Sequence, residues 1–160
     1  MSSLSTILRA SLHTQLLGVA VSTPVWAEVA QPIKIDLKAY RIVTQNGKET
    51  ASEAKQARPG DVIEYRATYA NVGATPVANL LATLPIPNDM EFTGATQPTG
   101  AEASTDGKTF AAMPLKWTVG GKVVEVPLIE YRALRWKIAT LPAGKTAVVS
   151  VRTRVNGSRP

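Results

Sequence analysis

Cysteine is absent from this chain of 160 residues, and histidine occurs once, at His13. The first absence excludes disulfide staples, thiolate metal sites and cysteine nucleophiles. It also excludes a lipid anchor on an N-terminal cysteine. Aromatic residues make up only 6%, so a core must be built mainly from aliphatic side chains around a few large rings. Long hydrophobic runs are missing too: Leu16-Leu17-Gly18-Val19-Ala20-Val21 falls far short of the roughly 20 residues that a permanent helical anchor needs. Beyond residue 27 no stretch of ten residues keeps a 3.6-residue apolar period, so little helix is expected.

That one apolar run has the grammar of an export signal. Arg9 precedes it, Pro24 breaks it, and Val25 and Ala27 place small residues third and first before a cut, which predicts a signal peptide over 1–27 and a mature start at Glu28. The competing reading is a buried amphipathic N-terminal helix. Cleavage would remove His13, leaving neither imidazole nor thiol, and so exclude a Ser-His-Asp triad and a histidine zinc site alike. Arg9 is the only charge among residues 1–27, so the remainder carries 17 basic against 12 acidic residues, a net +5. The basic residues stand singly among acids, as in Lys34-Ile35-Asp36-Leu37-Lys38. This is the pattern of a solvated sheet face rather than of a phosphate-binding patch, and no nucleic-acid partner is expected. Arg152, Arg154 and Arg159 come nearest to a cluster.

The remainder, 28–160 with its core over 33–155, reads as a single all-β domain. Ile63, Tyr65, Ala67 and Tyr69 alternate with Glu64, Arg66 and Thr68, between turns at Pro59-Gly60 and Asn71-Val72-Gly73, which specifies a strand buried on one face. Ile33, Ile35, Leu37 and Ala39 predict an inward-facing row on the first strand, and Asn46-Gly47 is a strong hairpin signal. Glu49 to Arg58 reads as a loop. Val77 to Leu84 is apolar at both parities, as in a strand covered on both sides or changing sheet, and Pro85 and Pro87 end it. Met90-Glu91-Phe92 is a short strand. Asp106-Gly107 and Gly120-Gly121 mark two more hairpin tips. Leu134, Trp136 and Ile138 face inward against Arg135 and Lys137, and Ala147, Val149, Val151 and Val155 against Val148, Ser150, Arg152 and Arg154. Trp117 and Trp136 are the heaviest core candidates, with Trp117 and Tyr131 nearer to strand ends and surface. Seven to nine short antiparallel strands separated by turn chemistry predict a β-sandwich.

The order Pro59-Gly60-Asp61, Tyr65, Asn71-Val72-Gly73, Leu84-Pro85, Leu134-Arg135-Trp136 and Leu141-Pro142-Ala143-Gly144 resembles the conserved repeat domain known as domain of unknown function eleven, from about Ile33 to Val155. The resemblance implies an immunoglobulin-like sandwich in exported and surface proteins, often in tandem as a spacer or adhesive module, with no catalytic residues to transfer. The chain departs from that pattern in holding one copy and in carrying Ala82-Thr83 where an aspartate commonly precedes Leu-Pro. The first departure weighs against a spacer role and the second against a cation at that corner.

These readings favour a non-enzymatic, exported module of the periplasm or cell surface. It would work by contact with an envelope or surface protein, or with itself through sheet edges, without a cofactor or a permanent membrane anchor. The alternative is a carbohydrate- or envelope-polymer-binding module using Trp117 and Tyr131. Asp89 with Glu91 is the one close carboxylate pair for a glycosidase-type enzyme, but two residues apart on a strand they share a solvated face. Asn88, Asp89 and Glu91 lack the spacing of a calcium loop, and no metal or catalytic residue is expected. A Lys38 to Asn71 or Asn79 cross-link would need a buried, neutral amine; Lys38 falls on the outward parity, which predicts none.

Overall fold

The computed structural model describes residues 32–157; the expected signal peptide and Arg159 lie outside them. Within that range strands dominate, and the one helical element is a single 3-10 turn, Leu128–Glu130. The strands are β1 (Ile33–Gln45), β2 (Lys48–Glu53), β3 (Val62–Asn71), β4 (Val77–Pro85), β5 (Met90–Gln97), β6 (Glu102–Ser104), β7 (Ala111–Ala112), β8 (Lys116–Val119), β9 (Lys122–Glu125), β10 (Ala133–Leu141) and β11 (Thr146–Val155). All pairings are antiparallel. One sheet has the order β2-β1-β3-β11-β5, a second β4-β10-β6-β7, and β8-β9 form a separate two-stranded ribbon.

Ile63, Ala67 and Tyr69 of β3, Val149 and Val151 of β11 and Phe92 of β5 bury against Ala82 and Leu84 of β4 and Leu134 and Trp136 of β10. The alternation predicted for β3, β10 and β11 is therefore the alternation that fills the core. Small residues make room for large ones: Ala82 stands directly opposite Trp136, whose indole Nε1 donates to the Pro98 carbonyl at 2.8 Å. Phe92 and Tyr131 rings meet at 5.5 Å between centroids.

Several expectations fail for identifiable reasons. Lys48–Glu53 is a strand, not a loop. The Asn46-Gly47 turn, with φ of 50° and 74°, folds it back on β1, and pairing overrides its low strand propensity. Tyr131 is fully buried because its hydroxyl accepts the Leu115 backbone N–H at 2.9 Å, which satisfies its polar end inside. Trp117 is 41% exposed, in keeping with its place near a strand end but not with a core role, since its strand belongs to the ribbon and to neither large sheet. Strand β4 is covered on one face only: Leu80, Ala82 and Leu84 turn inward while Leu81 is exposed. Its inward parity changes between Val77 and Leu80, at Asn79 with φ of 53°.

The turn after β3 is tied by Asn71. Its Nδ2 donates to the carbonyls of Thr75 and Leu141, at 2.8 and 3.0 Å, and its Oδ1 accepts the Gly73 N–H. A side chain at Gly73 would place its Cβ 3.0 Å from Pro32 Cβ and 3.3 Å from Asn71 Oδ1, so anything larger than glycine would have to push these neighbours aside.

Candidate interaction surface

Ile35 lies opposite Tyr69 and Leu37 opposite Ala67. Cross-strand partners share a face, so both side chains point to the inner face, as the alternation predicts. Yet they are 58% and 53% exposed, against 4% for Tyr69 and 1% for Ala67. The correction concerns cover rather than direction: β4 is the last strand of its sheet and stops above β3, so β1 projects beyond it. The Tyr69 hydroxyl, which donates to the Thr83 carbonyl at 3.2 Å, locates the free margin of β4 beside Ile35.

At the other end of β1 the inner face is closed. The segment after β2 turns across it, with the Ala54 N–H bonded to the Ala39 carbonyl at 2.8 Å and Ala54 packed on the core. What remains is an open slot on the inner face of β1, where Ile35 and Leu37 are exposed, with β4 as the edge strand of the facing sheet. No residue of β4, Val77–Pro85, carries a charge, so the edge lacks the lysine that commonly discourages strand pairing.

A second apolar feature stands on the opposite side. In the β8-β9 ribbon, Trp117 pairs with Val124 and Thr118 with Val123. Alternation puts Trp117, Val119, Lys122 and Val124 on one face and Lys116, Thr118, Val123 and Glu125 on the other. All eight strand residues are exposed. The ribbon begins four residues after β7, the margin of its sheet furthest from β4, and its base is held by the Tyr131 and Leu115 bond.

The outer face of the larger sheet is charged but internally balanced. Glu64 is only 7% exposed; it pairs with Arg66, and with Arg152 at 3.0 Å. Arg152 also holds Glu49 through two bonds of 2.9 Å, clamping the β1-β2 hairpin over the sheet. Arg66 stacks on Tyr40 at 4.7 Å. Beside this network lies a polar cleft of about 490 Å³ lined by Glu49, Glu64, Thr96, Gln97, Ser150 and Arg152. A matching set joins Glu102 to Arg135 and Lys137, with Phe110 under Arg135 at 4.1 Å. Arg152 is thus a neutralised partner rather than part of a free basic cluster, and the acids that occupy it were hidden in sequence by separations of 88 and 103 residues.

Burial raises the Glu64 carboxyl, but hydrogen bonds from Arg66 and Arg152, with their charges, outweigh it and hold the group below its ordinary value of 4.5. A carboxyl lowered by folding adds stability above its unfolded value, and that stability is lost as pH falls through the folded one. Melting temperature is therefore expected to be level near neutrality and to fall below about pH 4.5. Glu64→Gln should lower the neutral plateau and flatten the acid slope. An unchanged slope would remove Glu64 from that role.

The remaining sequence candidates are scattered. Glu91 lies opposite Arg154 on β5, and Asp89 contributes its backbone carbonyl to the Asn156 N–H at 2.9 Å. Among the described residues no group of three or more His, Asp or Glu gathers as for a metal ion, and no helix is long and apolar enough to cross a membrane. Lys38 lies opposite Arg66 on the outer face, while Asn71 is buried and fully bonded. The slot itself was legible only in part. The charge-free stretch of β4 is visible in sequence, whereas the overhang of β1 depends on strand order. No protein-family model matches the chain, and comparisons with curated proteins and with solved structures give no match either.

Proposed function

We propose that this chain is a non-enzymatic, exported module that works by protein-protein contact through an open sheet margin, with an immunoglobulin-like sandwich as its frame. The observation that carries this reading is the slot: two large aliphatic side chains on the inner face of β1 left uncovered beside a charge-free strand edge. Soluble domains rarely leave such a margin open without a partner for it. The resemblance to domain of unknown function eleven supports the envelope or surface setting, and the signal-like residues 1–27 support export.

Export is tested by N-terminal sequencing of protein recovered outside the cytoplasm, expected to begin at Glu28. Contact is tested by light scattering and chemical cross-linking in envelope extract, comparing the native chain with Leu37→Glu. Complexes that the substitution abolishes support the reading, and a strictly monomeric protein with no such complexes overturns it. The carbohydrate alternative is favoured by the exposed indole of Trp117 and the polar cleft beside Arg152. It predicts a tryptophan fluorescence shift on adding peptidoglycan or polysaccharide.

A further inference from the structure

We infer that the outer face of the larger sheet carries a binding trough for an uncharged saccharide chain, centred on Ser150. The trough moves the carbohydrate reading above from the ribbon indole to a site on β3, β11 and β5, and it is independent of the contact at β4.

Strand register builds it. Ser150 lies opposite Arg66 on one side and Gln97 on the other, and alternation sets Val148 and Arg152 before and after it on the same outer face. A small side chain ringed by larger ones makes a floor. Ser150 is accordingly only 7% exposed, although it faces away from the core. The polar cleft of about 490 Å³ beside Arg152 and a second of about 530 Å³ that reaches Arg66, Pro98 and Val148 have Glu64, Gln97 and Ser150 in common. They adjoin over that floor, and each is of the size that ligand sites have.

The walls are held in place. Arg152 is fixed by bonds to Glu64 and Glu49, and Pro98 by the Trp136 indole that donates to its carbonyl. The β5-β11 register shifts between Val151 and Thr153, where Gly94 has φ of 89° and the Thr93 hydroxyl donates to the Arg152 carbonyl at 3.0 Å. Irregularities of this kind re-aim side chains and recur beside binding sites.

Charge balance selects the ligand. Glu49 and Glu64 stand against Arg66 and Arg152, so the trough has no net charge with which to draw in an anion or a cation. Its carboxylates accept and its guanidiniums donate. The Ser150 hydroxyl and the Gln97 amide, which take no part in that network, can do both. Sugar hydroxyls also do both, whereas a phosphate chiefly accepts and an ammonium group only donates. Val148, 48% exposed, and Pro98 add an apolar patch for the C–H face of a ring. An extended peptide finds no edge here, because β3 and β11 are paired on both sides.

Affinity electrophoresis of the purified protein through gels containing dextran, soluble starch, galactomannan or glycol chitin tests the site. At least one of these neutral polymers should retard the native chain. Gln97→Ala should weaken that retardation about tenfold in apparent dissociation constant, and Ser150→Gln, which raises the floor, should abolish it with native circular dichroism. If Ser150→Gln does not fold, Gln97→Ala and Val148→Asp decide, both being at exposed positions. Trp117→Ala and Leu37→Glu should bind as the native chain does. No retardation by any of the four polymers, retardation indifferent to the trough variants, or a retardation by heparin that those variants remove would overturn the inference. Loss in Trp117→Ala alone would also overturn it, leaving the carbohydrate reading with its site on the ribbon. Envelope complexes sensitive to Leu37→Glu would sustain the contact-module reading under any of these results.

Discussion

Trp136→Ala is expected to destabilise the domain by about 3–5 kcal/mol, the range for removing a large aromatic side chain from a packed interior. Three observations place it there. The indole is buried between Leu134 and Ile138, its N–H is bonded to the Pro98 carbonyl, and the residue facing it across the strand pair is Ala82, too small to collapse into the space. The matching change one residue earlier should behave differently. Arg135→Ala removes a partly exposed ion pair with Glu102 and a stack on Phe110, contacts of about 1 kcal/mol or less each at a surface. Thermal melts should separate the two variants by on the order of 10 °C. Similar midpoints would mean that β10 does not present alternate residues to core and solvent.

Asn71→Ala should cost about 3 kcal/mol although it deletes only a small polar group, because it strands backbone partners rather than apolar surface. The amide spans three segments: the turn after β3, the approach to β4 at Thr75, and the end of β10 at Leu141. Leu141 is itself buried, so water does not readily replace the lost donor at its carbonyl. Asn71→Asp is the sharper variant. It keeps the acceptor for Gly73 but turns a carboxylate oxygen toward two carbonyls, and should be at least as damaging near neutral pH. Protonation would restore one donor, so the gap in melting temperature between this variant and the native chain should narrow on acidification. A gap independent of pH would show that the amide nitrogen is not what matters.

The fold was legible wherever period and burial coincide. β3, β10 and β11 lie in the middle of their sheets or against the opposite one, so the alternation of Ile63 with Glu64, Trp136 with Arg135 and Val149 with Val148 reports true inside and outside. At the margins the same alternation misleads. Ile35 and Leu37 have the parity of core residues and the exposure of surface ones, because parity is a property of one strand while cover depends on how many strands the opposing sheet has. Tyr131 and Trp117, both read as nearer to the surface, part company for a related reason: the hydrogen bond that lets Tyr131 go inside comes from a residue 16 positions away, and Trp117 stands on a ribbon with no second layer. The β2 strand was missed since its polar sequence gains strand character only from the hairpin partner. As for the interaction surface, the absence of charge along Val77–Pro85 was available from the residues alone; its juxtaposition with β1 was not.

The position of β11 has a consequence for how the molecule is made. This last strand does not sit at a rim but between β3 and β5, joining the first half of the larger sheet to the rest, and its Arg152 also fastens the β1-β2 hairpin through Glu49. Closing that sheet pairs residues as far apart in sequence as Val62 and Arg154, the kind of topology that folds slowly. While a polypeptide emerges residue by residue, β3 and β5 wait without their common neighbour until Thr146 to Val155 arrive, and the chain stays open and threadable until then. A chain halted before Thr146 can pair β2-β1-β3 and β4-β10-β6-β7 but leaves β5 without its partner and the larger sheet unclosed, which exposes it to proteolysis.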